Sequence, residues 1–246
     1  MINSKFSKFL VSQIASKFPE AIFFKETDKK IISLTIDDVP ARDEELKQST
    51  RRILEAIESH NQLFSTAVSA TFFVTSDHVK HATDEKKLDL DILAEIIDKG
   101  HEIGNHGKFD RRHANLSKED FEAEFSEAHQ FLSQHINQPI HWFRPGQAFY
   151  NESMFETLTT TGKNLGYQNK FALASMVPFD TQDFLDDPGF TLKNIQGFTF
   201  PGSILVLHGG FSHQAINTLE VLNKLLPWLH QQDYQVVSLS KLINSN

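Results

Sequence analysis

Carboxylates, imidazoles and one guanidinium stand where five short apolar runs of this chain end. Asp37-Asp38 lie near the end of 31-IISLTIDDVP-40, and His106 follows 101-HEIGN-105. Arg144 ends 140-IHWFR-144, Asp180 comes shortly after 171-FALAS-175, and His208 ends 203-SILVLH-208. Two adjacent carboxylates point in different directions and can divide labour, one ligating a cation and the other taking a proton from water. An arginine beside an aspartate keeps that aspartate ionised, and a buried arginine must be paired. A histidine with one ring nitrogen held by a carboxylate can serve as a general acid. Each residue alone has a plainer reading: a turn stopped by Pro40, a rim histidine, a structural ion pair, a solvated loop aspartate.

The stretch 105-NHGKFDRRHANLS-117 poses a choice of metal partner for His106. Asp110 stands four residues on, where one helical turn would bring both side chains to one face and to one divalent ion. His113 stands seven residues on, about 10 Å along a helix axis, too far for a shared ion unless the loop folds back.

The elements that must position these groups alternate. Apolar runs at 31–36, 70–74, 101–104, 140–143, 171–175, 203–208 and 235–239 read as strands. Helical spacing marks 51–63, 88–100 with Gly100 as its left-handed cap, 118–135 behind the capping box that starts at Ser117, 152–165 and 214–230. Strand–helix alternation argues for a largely parallel α/β sheet, whose chemistry gathers at the carboxyl ends of strands. The reactive residues fall at such ends.

Composition narrows the chemistry. The 246 residues suit one α/β domain; 39% are apolar, and Phe, with 22 copies, dominates the aromatics. Net charge is −8 and no long basic run occurs, so no nucleic-acid partner is expected. The chain has no cysteine, which removes thiolate catalysis, thiolate metal sites and disulfides and leaves His, Asp and Glu as metal donors. The first residues, MINSKFSKFLVSQIASKFPEAIFF, place Phe6, Leu10, Val11, Ile14 and Phe18 at helical spacing, which reads as an amphipathic helix packed on the domain. They do not read as a signal peptide, so a cytoplasmic location is expected; no apolar run is long enough for a membrane span.

The segments TIDDVP, GHEIGNH, FRPG, the FDTQD loop and GSILVLHG resemble, in order and spacing, the motifs of the polysaccharide deacetylases, carbohydrate esterase family 4. The resemblance runs from about Ile31 to Leu242. It implies a distorted (β/α) barrel of about seven parallel strands over residues 31–246, with residues 1–30 as an N-terminal helical extension. It also implies metal-dependent hydrolysis of an N-acetyl or O-acetyl group on a sugar. By that resemblance Asp37 is the general base, Asp38 and His106 are metal ligands, Arg144 orients the base, and Asp180 holds the acid His208, with Asp183 as a rival for that role. Val206 would line the acetyl pocket, and the main-chain amide near Gln147 would help bind the oxyanion.

Four positions depart from the usual pattern. Val39 stands for Gly, Asp183-Phe184 for Asp-Trp, Val206 for Leu, and Asp110 for the second metal histidine. A chitin-deacetylase-like branch of the family is similar at 105–117 without a gap, and again at RPGQAFYN and PFDTQ. That likeness favours Asp110 over His113. A shell of two aspartates and one histidine suits one divalent ion, zinc foremost, with Mn, Co or Fe as alternatives. The implied substrate is an acetylated oligosaccharide of chitin-like or peptidoglycan-like type. Two other readings are an amidohydrolase of small non-sugar amides on the same fold, and a non-catalytic glycan-binding domain.

Overall fold

Strand β2 (Ile31–Val39) is buried at every position except Asp38, as expected of a central strand covered on both faces. It is described in a computed structural model covering residues 4–84, 86–181 and 187–245. On one side β2 pairs with β3 (Ala70–Val74), which pairs with β4 (Glu102–Asn105). On the other side its lower half pairs with β7 (Gln235–Val237) and its upper half with β6 (Ile204–His208). A second sheet joins β1 (Ala21–Ile22) to β5 (Phe171–Ala172), so residues before Ile31 also supply a strand. All these pairings are parallel.

The expected α/β class with parallel strands holds, but among the described residues the two sheets do not close into a barrel. The expected strand at 140–143 is the reason on one side: only Phe143 forms a bridge, to Asn105. Its carbonyl accepts from the Ala172 N–H at 3.0 Å, so one residue links β4 to β5. Phe143 is held by edge-on contacts with Phe121 at 5.6 Å and Phe125 at 5.2 Å. Such aromatic pairs add about 0.5–1.5 kcal/mol each beyond burial.

Helices α2 (Gln48–Phe64), α3 (Asp91–Asp98), α4 (Lys118–His135), α5 (Glu152–Thr157), α6 (Pro188–Gly197), α7 (Ser212–Gln231) and α8 (Leu239–Asn244) follow. The Asp120 N–H donates to Ser117 Oγ at the start of α4, and Gly100 has the expected left-handed φ of +81° after α3. In helix α1 (Ser4–Ala15) only Ser7 and Val11 are buried; Phe6, Phe9, Ile14 and, just beyond it, Phe18 are 46–57% exposed. No helix among the described residues is long and apolar enough to cross a membrane.

Candidate active site

Asp37 and His208 are register partners on β2 and β6, which places the two groups side by side at the carboxyl end of the sheet. Each is already paired. Arg144 Nη1 donates to Asp37 Oδ1 at 2.5 Å. The same guanidinium donates to Thr35 Oγ1 at 2.7 Å and to the carbonyls of Ala172 at 2.8 Å and Leu173 at 3.2 Å, and it lies 4.2 Å from the Phe73 ring centroid. Asp37 and Arg144 are 4% and 3% exposed, so this is a buried pair whose spare donors are satisfied.

His208 is held by both oxygens of Asp180: Oδ1 faces Nδ1 at 2.8 Å, and Oδ2 accepts from the His208 main-chain N–H at 2.9 Å. Nε2 is thereby left as the nitrogen able to deliver a proton. Burial works against the charged ring, but the Asp180 carboxylate outweighs it and lifts the His208 pKa to about 10. Asp183, the rival partner, lies outside the described residues.

Asp38 adopts φ +62°, in the left-handed region. Strand alternation is broken there, and the Asp38 carboxylate meets His106 Nε2 at 3.0 Å. Gly210 lies so close that a Cβ there would come within 2.6 Å of Asp38 Cβ. His106 Nδ1 donates to the Arg144 carbonyl at 2.8 Å, so Arg144 holds the base with its side chain and the histidine with its main chain. Burial lowers the His106 pKa, but Asp38 reverses this and raises it; Asp38, in turn, is held low mainly by His106 against the effect of burial.

This pair fits a cation. With Nδ1–H committed to a carbonyl, Nε2 faces a carboxylate oxygen, and ligands bound about 2.0–2.2 Å from one ion stand about 3 Å from each other. Among the described residues no third His, Asp or Glu converges with the pair.

The helical spacing argument for Asp110 therefore does not hold. Residues 106–112 form no helix; Gly107 turns at φ +92°, and the loop is pinned over α4 by Lys108 on Glu127 and Arg111 on Glu124. Asp110 is exposed on that loop. His113 is no substitute. It is 1% exposed, its Nδ1 accepts the Gly146 N–H at 2.8 Å, and its Nε2 abuts Gly107, where a Cβ would collide. Burial, helped by His106 and Arg111, pushes its pKa down to about 3, so it stays neutral. It clips the loop after His106 to the loop after Arg144.

Val206 is 5% exposed and shares its face of β6 with His208. Gln147 is exposed, at φ +59°, in the turn Gly146–Ala148. Sequence reasoning missed His78, in the 3₁₀ turn Ser76–Val79, whose Nδ1 lies 2.7 Å from the Asp38 carbonyl. Its position just past the carboxyl end of β3 was the available signal.

A polysaccharide deacetylase family model matches residues 24–169, more than half of the chain, and the chain belongs to that family of carbohydrate deacetylases. A peptidoglycan-N-acetylglucosamine deacetylase of Bacillus cereus is 27% identical over 222 residues, 88% of this chain and 89% of that protein. A solved peptidoglycan N-acetylglucosamine deacetylase superposes with a TM-score of 0.75 at 21% identity, over 94% of this chain and 96% of the other. A carbohydrate esterase family 4 pseudoenzyme from Bacillus anthracis superposes with a TM-score of 0.73 at 22% identity, over 92% of this chain and 69% of the other.

Proposed function

We propose that this chain hydrolyses the N-acetyl group of an acetylated amino sugar in a chitin-like or peptidoglycan-like oligosaccharide, with one divalent ion, zinc foremost. The observation that carries this reading is the pair of pre-formed dyads: Asp37 on Arg144 at 2.5 Å, and its cross-strand neighbour His208 on Asp180 at 2.8 Å. Asp38 and His106 would hold the ion, and Asp110, exposed on the loop after His106, is the further carboxylate proposed to reach it. The bound ion would supply Lewis-acid polarisation of the acetyl carbonyl and acidify a water.

Asp37, paired to Arg144, takes the proton of the attacking water as its oxygen bonds to the acetyl carbon. The main-chain amide near Gln147 faces the developing oxyanion, and Val206 lines the acetyl group. His208 delivers the Nε2 proton to the sugar nitrogen as the C–N bond breaks, so acetate and a free amine leave. Intact pairing at both dyads supports an enzyme over a non-catalytic binding domain. The test is acetate release from N-acetylglucosamine oligomers and peptidoglycan fragments by zinc-loaded protein; absence of release across that panel overturns the proposal.

A further inference from the structure

The left-handed turn at Asp38 is conformationally disfavoured for a residue with a Cβ, so contacts around it must hold it. The turn Ser76–Val79 stands against it and is tied on two sides. The Thr75 N–H donates to the Val39 carbonyl at 3.0 Å, while the N–H groups of Ser76 and Asp77 donate to the carbonyls of Gly107 and Lys108 at 3.1 and 3.0 Å. The turn therefore bridges the loop that carries Asp38 and the loop that follows His106.

His78 projects from this bridge and is 3% exposed. Its Nδ1 lies 2.7 Å from the Asp38 main-chain carbonyl, and because a carbonyl only accepts, Nδ1 must donate. His106 uses the same device, donating Nδ1–H to the Arg144 carbonyl. The His78 Nε2 is buried with no hydrogen-bond partner among the described residues, so the donated bond at Nδ1 is the ring's one specific anchor there.

We infer that His78 is a positioning residue of the ion-binding pair: its Nδ1–H bond fixes the left-handed turn at Asp38 and so aims that carboxylate at His106. The inference rests on the deacetylase reading only in taking Asp38 and His106 as the pair that holds the ion. His78 touches neither substrate nor ion in this role.

The test compares wild type, His78→Leu and His78→Asn as full-length chains. Leu fills the ring's space without a donor, whereas the Asn amide can donate near the Nδ1 position. Zinc affinity is measured by competition with a chromophoric chelator, and thermal unfolding is measured on metal-free protein. Loss of an outer-shell partner predicts about 10–100-fold weaker zinc binding in His78→Leu, with most of it recovered in His78→Asn. His78→Leu binding zinc like wild type overturns the inference and leaves the deacetylase reading standing. So does His78→Asn binding as weakly as His78→Leu while both lose the same thermal stability, the signature of packing alone. Wild type that binds no zinc overturns both.

Discussion

The two halves of the site are built differently. On the acid–base half, Asp37 and His208 each have a partner from the chain, at 2.5 and 2.8 Å, and the guanidinium donates further to the Thr35 hydroxyl and the carbonyls of Ala172 and Leu173. On the ion-binding half, Asp38 and His106 face each other, Asp110 lies exposed, and His78 Nε2 has no hydrogen-bond partner among the described residues. On the proposed reading, the groups that move protons are each paired with a separate partner from the chain, whereas the two groups proposed to hold a cation face each other. Pre-organised charge on the first half costs no reorganisation when the reaction occurs.

The largest expected effect separates the halves outright. Asp37→Asn and His208→Asn should each lower kcat about 10²–10⁴-fold, the usual worth of a general base or acid, while stoichiometric zinc binding stays. A variant that loses zinc together with turnover would merge the halves. Arg144→Gln comes next. It strips a buried carboxylate of its partner, for which about 3–5 kcal/mol of destabilisation in chemical denaturation is expected. It should also weaken zinc binding less than Asp38→Asn does, because the Arg144 main-chain carbonyl that holds His106 remains.

Within the ion-binding half, Asp110→Asn should weaken zinc affinity at least about tenfold if that loop carboxylate is a ligand. His113→Asn should leave zinc affinity unchanged, since both of its ring nitrogens face main chain. The opposite ranking would move the third ligand to His113 and require the Gly146 contact to break.

The smallest effects are in pH. The His208 pKa is raised from 6.5 to about 10, so the stability its pairing contributes is fully present below pH 6.5 and fades as pH rises through about 10. The alkaline limb of kcat/KM should lie there too, and Asp180→Asn should draw it downward. His113 is depressed from 6.5 to about 3, so its contribution is present above pH 6.5 and is lost as pH falls through that window. His113→Asn should flatten this acid loss, as read from thermal unfolding across the range.

The same contrast explains what was legible in the sequence. Asp37, Asp38, His106, Arg144, Asp180 and His208 all sit at the ends of apolar runs, and parallel strands carry such ends to one edge of the sheet. Strands β2, β3 and β6 and helices α2, α4 and α7 were readable because their apolar periods are long. The run 140-IHWF-143 reads as a strand but gives one bridge at Phe143, because aromatic packing rather than a ladder holds it. Helix α6 escaped notice because its apolar residues are few. The helical-turn argument for Asp110 fails because Gly107 and two salt bridges impose a loop there, and the ungapped likeness at 105–117 is the support that remains. The main-chain contacts of His78 and His113 could not be read from spacing, because a bond to a carbonyl or amide leaves no mark on it.

The central claim is that Asp37 moves the proton while Asp38 and His106 hold the ion. It is tested most directly by measuring acetate release and bound zinc together, on one N-acetylglucosamine oligomer, for wild type and Asp37→Asn. The account predicts one zinc per chain in both proteins, acetate release by wild type, and release lowered about 10²–10⁴-fold in the variant. Equal release by the two proteins, or wild type that releases acetate without bound metal, would contradict it.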